Sequence, residues 1–374
     1  MMPAQALYDL SPLLRVLLLG AALALLPLLW VFKRNRSSTR RLQALTVLTL
    51  FLSFDLVMFG AFTRLTDSGL GCPDWPGCYG QSSPLEASTQ ISAAQSVMPS
   101  GPVTHGKAWI EMLHRYLATA VGGLIIVLTA WQWRRRKQLA QVQFLSPWWA
   151  TATLVWVCVQ GAFGALTVTM KLFPAIVSLH LLGGLVLLGL LALQATRLSQ
   201  AQADAGPALT GGLRRFTWAV LALMAFQAAL GAWVSTNYAV LACAEFPQCQ
   251  DAWWPLMDFG AGFHLWRELG MTVDGKFLGF EALTAIPMAH RVFALVVFAA
   301  LAALCWRLWR CAALREPSRW LLGLTLAQFA TGLSNVVLGW PLAAAVLHTG
   351  GAAALVVVLV WSLCASRSSH EVQA

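Results

Sequence analysis

Charge is what this sequence has least of. Asp, Glu, Lys and Arg make up 11% of its 374 residues and hydrophobic residues make up 58%, whereas soluble domains carry roughly a quarter charged residues. That scarcity excludes a soluble globular domain and leaves an all-α integral membrane protein embedded in a lipid bilayer. The formal net charge of +10 does not indicate nucleic acid as a partner, because the chain has no basic face interleaved with aromatics. Lys and Arg stand in short clusters between apolar runs, where they act as topology signals.

No cleavable leader is expected. The apolar run 13–32 is long enough to cross ~30 Å of hydrocarbon. Its basic residues, from Lys33 to Arg41, follow the run instead of preceding it, and no small-x-small cleavage site is evident. It reads as a retained helix with its N-terminus outside. Further spans are predicted at about 42–62, 108–133, 148–170, 174–196, 215–236, 286–308, 319–340 and 342–364, nine in all. The connections after the first, third, fifth and seventh spans carry the basic clusters: Lys33 to Arg41, Arg134 to Lys137, Arg197 with Arg214 and Arg215, and Arg307 to Arg319. The positive-inside rule puts these and the C-terminus in the cytoplasm, and the long loops 63–107 and 237–285 outside. Many tryptophans, among them Trp131, Trp148, Trp306 and Trp320, fall near span ends as interfacial anchors.

The chain repeats itself. Gly60 precedes Cys72 by 12 residues and Gly231 precedes Cys243 by 12; each cysteine precedes another, Cys78 or Cys249, by 6. His114-Arg115 and His290-Arg291 follow. Gln160 then precedes His180 by 20 and Gln328 precedes His348 by 20, and Gly-Gly follows both histidines. These landmarks make the chain an extra helix with its basic loop (1–41), a four-helix half (42–200) and a second four-helix half with a short tail (201–374). Both halves start in the cytoplasm, so the repeats are parallel and pseudo-symmetric about the membrane normal.

All four repeat-related histidines lie near the outer ends of their helices. Buried histidines in a membrane need partners, and the repeat pairs His114 with His180 and His290 with His348, or crosses the pairs between halves. Zinc requires three or four converging ligands, and no third His, Cys or carboxylate recurs in both halves. Two bis-imidazole haem iron sites are the better reading. His105, His264 and His370 have no counterparts and read as solvent-exposed.

Glu111 breaks the symmetry. It stands three residues before His114 on one helix face, whereas the matching position in the second half is Pro287. A carboxylate beside one haem only suggests chemistry at that site; the plainer explanation is an acid in a first helical turn. Arg64, Arg115 and Arg291 either snorkel to headgroups or pair with haem propionates. Outside the cell an oxidising compartment favours a disulfide within each loop, Cys72–Cys78 and Cys243–Cys249. A bis-haem membrane cytochrome b-type electron carrier competes with an enzyme, but it wants haems on opposite sides of the bilayer. A haem carrier without chemistry is a third reading. Homo-oligomerisation is open.

The stretches Gly60 to Thr66, Asp67 to Cys78, Glu111-Met112-Leu113-His114-Arg115, His180-Leu181-Leu182-Gly183-Gly184, His290-Arg291 and His348-Thr349-Gly350-Gly351 together resemble the haem A synthase family over about 42–364. The resemblance implies oxidation of the C8 methyl of haem O to a formyl group, giving haem A for cytochrome c oxidase. It implies haem b on His290 and His348, substrate haem O on His114 and His180, Glu111 as the essential acid, and activity linked to Cys72 and Cys78. It further implies the bacterial inner membrane, a haem O synthase (prenyltransferase) and cytochrome c oxidase assembly as partners, and an electron-transfer partner of unidentified kind. The helix 13–32 departs from the family's common eight-helix form.

Overall fold

The computed structural model describes residues 11–35, 37–137, 146–200, 208–365 and 367–368; His370 lies outside them. Among the described residues nine helices are long and apolar enough to cross a bilayer. They are α1 (Ser11–Arg34), α2 (Ser38–Leu65), α3 (His105–Arg134), α4 (Trp148–Thr169), α5 (Pro174–Gln200), α6 (Gly211–Thr236), α7 (Phe280–Trp309), α8 (Arg315–Val337) and α9 (Leu342–Ala365). The protein is a multi-pass, all-α membrane protein.

Capping decides where several of these helices begin. The side chain of Thr104 accepts the backbone N–H of Lys107 at 3.3 Å, which starts α3 at His105, three residues before the apolar run. Helix α7 differs more from expectation. It starts at Phe280, not near 286, and carries Pro287 inside it. Hydropathy places a proline in the first turn, where its missing N–H is harmless; here the preceding turn, Glu281 to Ile286, is helical as well.

The two halves pack with one pattern. Helix α2 contacts α3, α3 contacts α4, α4 contacts α5 and α5 returns to α2; α6, α7, α8 and α9 close an equivalent ring. Each ring has its own apolar cluster, one around Leu45, Leu124, Leu128 and Leu191, the other around Val220, Leu301, Leu321 and Leu359. The rings meet along α2, α5, α6 and α9, where Leu185 and Leu188 pack with Ala353, Phe54 and Ala228. Both long loops, with the short α4–α5 and α8–α9 turns, lie at one end of the bundle, hereafter the loop end.

Helix α1 packs along α3. Its buried residues Pro12, Val16, Gly20 and Ala24 recur every four positions and so form one stripe. A Cβ on Gly20 would collide with the Thr119 side chain, so glycine is what permits the close approach. At the loop end Val16 joins Cys72, Cys78, Met112 and Tyr116 in a buried cluster.

Candidate functional site

Each of the four histidines faces a glycine on a neighbouring helix. A Cβ on Gly60 would lie 3.1 Å from His114 Cε1, on Gly231 3.0 Å from His290 Cε1, on Gly332 3.0 Å from His348 Cε1, and on Gly164 3.5 Å from His180 Cε1. Any larger residue at the first three would push on the imidazole. His114 and His180 stand on α3 and α5 of one half, and His290 and His348 on α7 and α9 of the other, all toward the loop ends of their helices. No three His, Cys, Asp or Glu side chains converge among the described residues. Paired imidazoles, each in a slot cleared by glycine, fit a flat tetrapyrrole held by two axial nitrogens.

The surroundings of the imidazoles differ between halves. Thr331 Oγ1 lies 3.0 Å from His348 Nδ1. Gln227 Nε2 lies 3.0 Å from His290 Nδ1 and donates to the His290 carbonyl at 3.2 Å. In the other pair, His114 Nδ1 and His180 Nδ1 are buried with no hydrogen-bond partner; the ring of Phe59 stacks on His114 at 6.1 Å.

Glu111 is 4% exposed. Its Oε2 accepts the Cys72 N–H at 2.7 Å, and its Oε1 pairs with the Arg115 guanidinium one turn on. Arg115 also donates to the carbonyls of Asp74 (3.0 Å), Pro76 (3.2 Å) and Gly77. The loop it holds contains the Cys72–Cys78 disulfide. In the second half Arg291 donates to the carbonyls of Cys243 (2.6 Å), Glu245 (2.9 Å) and Gln248 (3.3 Å), around the Cys243–Cys249 disulfide. Asp74 and Glu245 each follow the first cysteine by two residues, so the two arginines clamp corresponding parts of corresponding loops.

Arg64 joins the halves. It donates to the Ser235 carbonyl at 2.6 Å and lies over the Tyr238 ring at 3.9 Å. Burial pushes the Tyr238 hydroxyl above its ordinary pKa, and the hydroxyl donates to Asp67. The three arginines read as either snorkelling to headgroups or pairing with haem propionates thus all have protein partners. His264 is exposed, whereas His105 is half-buried and its Nε2 lies 2.9 Å from Ser92 Oγ.

Sequence reasoning missed Gly164, Gly332, Gln227 and Thr331. A signal was available: glutamine stands four residues before three of the four slot glycines (Gln160, Gln227, Gln328), and Leu56 takes that place before Gly60.

The family model described as cytochrome oxidase assembly protein matches residues 43–360, and so leaves α1 outside it. The chain is 36% identical over 313 residues to a protein named heme A synthase from Shewanella oneidensis, covering 84% of this chain and 93% of that one. It is 26% identical over 328 residues to a heme A synthase from Halalkalibacterium halodurans, covering 87% and 95%. With a heme A synthase from Rhodospirillum centenum it shares 29% over 337 residues, covering 83% and 84%. Matched over most of its length, with its two histidine pairs and both cysteine loops inside the matched region, this chain belongs to the COX15-CtaA family of cytochrome oxidase assembly proteins.

Proposed function

We infer that this chain is an enzyme that forms haem A for cytochrome oxidase, converting the C8 methyl of haem O to a formyl group. The observation that carries the reading is the asymmetry between two otherwise matched imidazole pairs: a buried carboxylate, Glu111, accompanies His114, while Pro287 stands at the equivalent place before His290. In this reading the half 42–200 binds substrate haem O through His114 and His180, and the half 201–374 keeps a resident haem b on His290 and His348. Oxidation of a methyl group is hard for side chains, and iron supplies it when the haems are bound.

The chain's own groups orient and neutralise. Glu111 is held from two sides, by the Cys72 N–H and by Arg115, so its carboxylate has little freedom relative to His114. From there it stabilises positive charge developing at the methyl carbon, or accepts a proton as the hydrated product collapses to the aldehyde. The Cys72–Cys78 loop covers this place from the loop end, with Tyr116 donating to the Ser82 carbonyl at 2.6 Å. The basic clusters at the opposite end support a bacterial inner membrane orientation with the N-terminus and both cysteine loops periplasmic and the C-terminus cytoplasmic. A prenyltransferase supplies haem O, cytochrome c oxidase assembly consumes the product, and a separate electron-transfer partner serves the oxidation.

The test is expression with and without a haem O-producing prenyltransferase, followed by acid extraction and identification of the haems by chromatography and mass. Haem A is expected only with the prenyltransferase. Haem b alone in both cultures, with rapid reduction by quinol, would replace the enzyme with an electron carrier.

A further inference from the structure

The Nδ1 atoms of the four imidazoles divide two and two. An iron-ligating imidazole ordinarily donates its other ring N–H to an acceptor, which fixes the tautomer, stops the ring from turning and makes the ligating nitrogen more basic. Thr331 supplies such an acceptor. Its hydroxyl donates its own hydrogen to the Ala327 carbonyl at 2.9 Å, with the Gln328 carbonyl at 3.2 Å, so Oγ1 turns a lone pair to His348 Nδ1 at 3.0 Å. That leaves His348 Nε2 free of a proton. Gln227 offers no such acceptor: the atom 3.0 Å from His290 Nδ1 is its amide Nε2, which donates to the His290 carbonyl at 3.2 Å.

The equivalent positions in the first half hold apolar side chains. Gln227 stands four residues before Gly231, and Leu56 four before Gly60; Thr331 stands one before Gly332, and Phe163 one before Gly164. Neither Leu nor Phe has a hydrogen-bonding atom, and His114 Nδ1 and His180 Nδ1 are the two left without partners. The difference is built into matched positions of one repeat.

We propose that Thr331 is a positioning residue that locks His348 of the second imidazole pair for lasting iron ligation, while Phe163 leaves His180 of the first pair unlocked so that a haem can bind, turn over and leave. This rests on the reading of the two pairs as substrate and resident sites. It names the physical difference between a cofactor site and a substrate site in a duplicated fold where both offer two histidines.

The experiment uses the full chain purified with its haem, reading the visible spectrum, the midpoint potential and the rate of haem transfer to apomyoglobin. Thr331→Val is expected to speed loss of the resident haem about tenfold or more and to raise its midpoint potential, because a less basic imidazole favours the ferric state less. Thr331→Ser, which keeps the hydroxyl, is expected to restore both. In the reverse direction Phe163→Thr is expected to slow release of haem from the first site, and this arm decides the matter if Thr331→Val does not fold. An unchanged potential and release rate in Thr331→Val, with the bis-imidazole spectrum intact, would overturn the proposal alone. A His290→Ala, His348→Ala double variant that keeps the resident haem's spectrum would overturn the assignment of the pairs, and the proposal with it.

Discussion

Glu111 accepts the backbone N–H of Cys72 at 2.7 Å, across 39 residues of sequence. The carboxylate nearest in sequence to His114 is thus seated by the first disulfide loop, and the same carboxylate is ion-paired with Arg115 on its own helix. Site and loop form one unit at the loop end of α3.

Glu111→Gln keeps the shape and the contact with Cys72 N–H while removing the charge. Haem b content is expected to stay at the wild-type level, and extracted product is expected to stop at haem O or a hydroxylated intermediate. Normal haem A yield from this variant would remove Glu111 from the chemistry.

Arg115 uses the planar spread of its guanidinium to reach one carboxylate and three carbonyls, which a lysine ammonium cannot match. Arg115→Ala leaves a buried carboxylate without its counter-charge, a loss of about 3–5 kcal/mol. Thermal unfolding of purified protein should show a large drop for Arg115→Ala and a smaller one for Arg115→Lys. Haem A formation is expected to be impaired in both.

The two disulfides should separate by function. Each closes a short loop and contributes about 2 kcal/mol on the chain-entropy account. Replacing Cys72 and Cys78 together by serine is expected to lower haem A yield with haem b retained, since that loop seats Glu111. Replacing Cys243 and Cys249 is expected to lower haem b occupancy, since that loop is clamped by Arg291 next to His290. Quantifying both haems in each variant checks this, and equal losses in the two variants would break the correspondence.

The slot glycines rank themselves by space. Alanine at Gly231 or Gly332 brings a Cβ to 3.0 Å of an imidazole carbon, whereas at Gly164 the contact is an ordinary 3.5 Å. Overpacking of the first kind costs about 1–3 kcal/mol, and about 1.4 kcal/mol is tenfold in affinity. Gly231→Ala and Gly332→Ala are expected to lose haem b on purification; Gly164→Ala is expected to retain both haems.

Gly20→Leu tests α1. The added side chain runs into Thr119, so α1 should lift from α3 and uncover the cluster of Val16, Cys72 and Cys78. A lowered melting temperature together with faster reduction of Cys72–Cys78 by added thiol is expected. An unchanged reduction rate would mean that α1 does not shield the loop.

Much of this protein follows from its sequence alone. Apolar run length and basic clusters determine nine spans, because an exposed backbone polar group in hydrocarbon must be satisfied within a helix. The matched spacings of Gly60, Cys72, Cys78 and their partners Gly231, Cys243 and Cys249 expose the duplication, and helical periodicity puts Glu111, His114 and Arg115 within one turn. Those are relations within a single helix or between repeats. The tertiary structure decided what lies across from each face. Arg115 and Arg291 turn to loop carbonyls, Arg64 reaches Ser235 in the other half, Pro287 sits inside α7, and α1 docks on α3 through Gly20. The same holds for the glycine opposite each imidazole and for Thr331 beside His348. Such contacts depend on how far each helix is rotated about its axis and on the path of a loop of some forty residues, and neither quantity is encoded in local spacing.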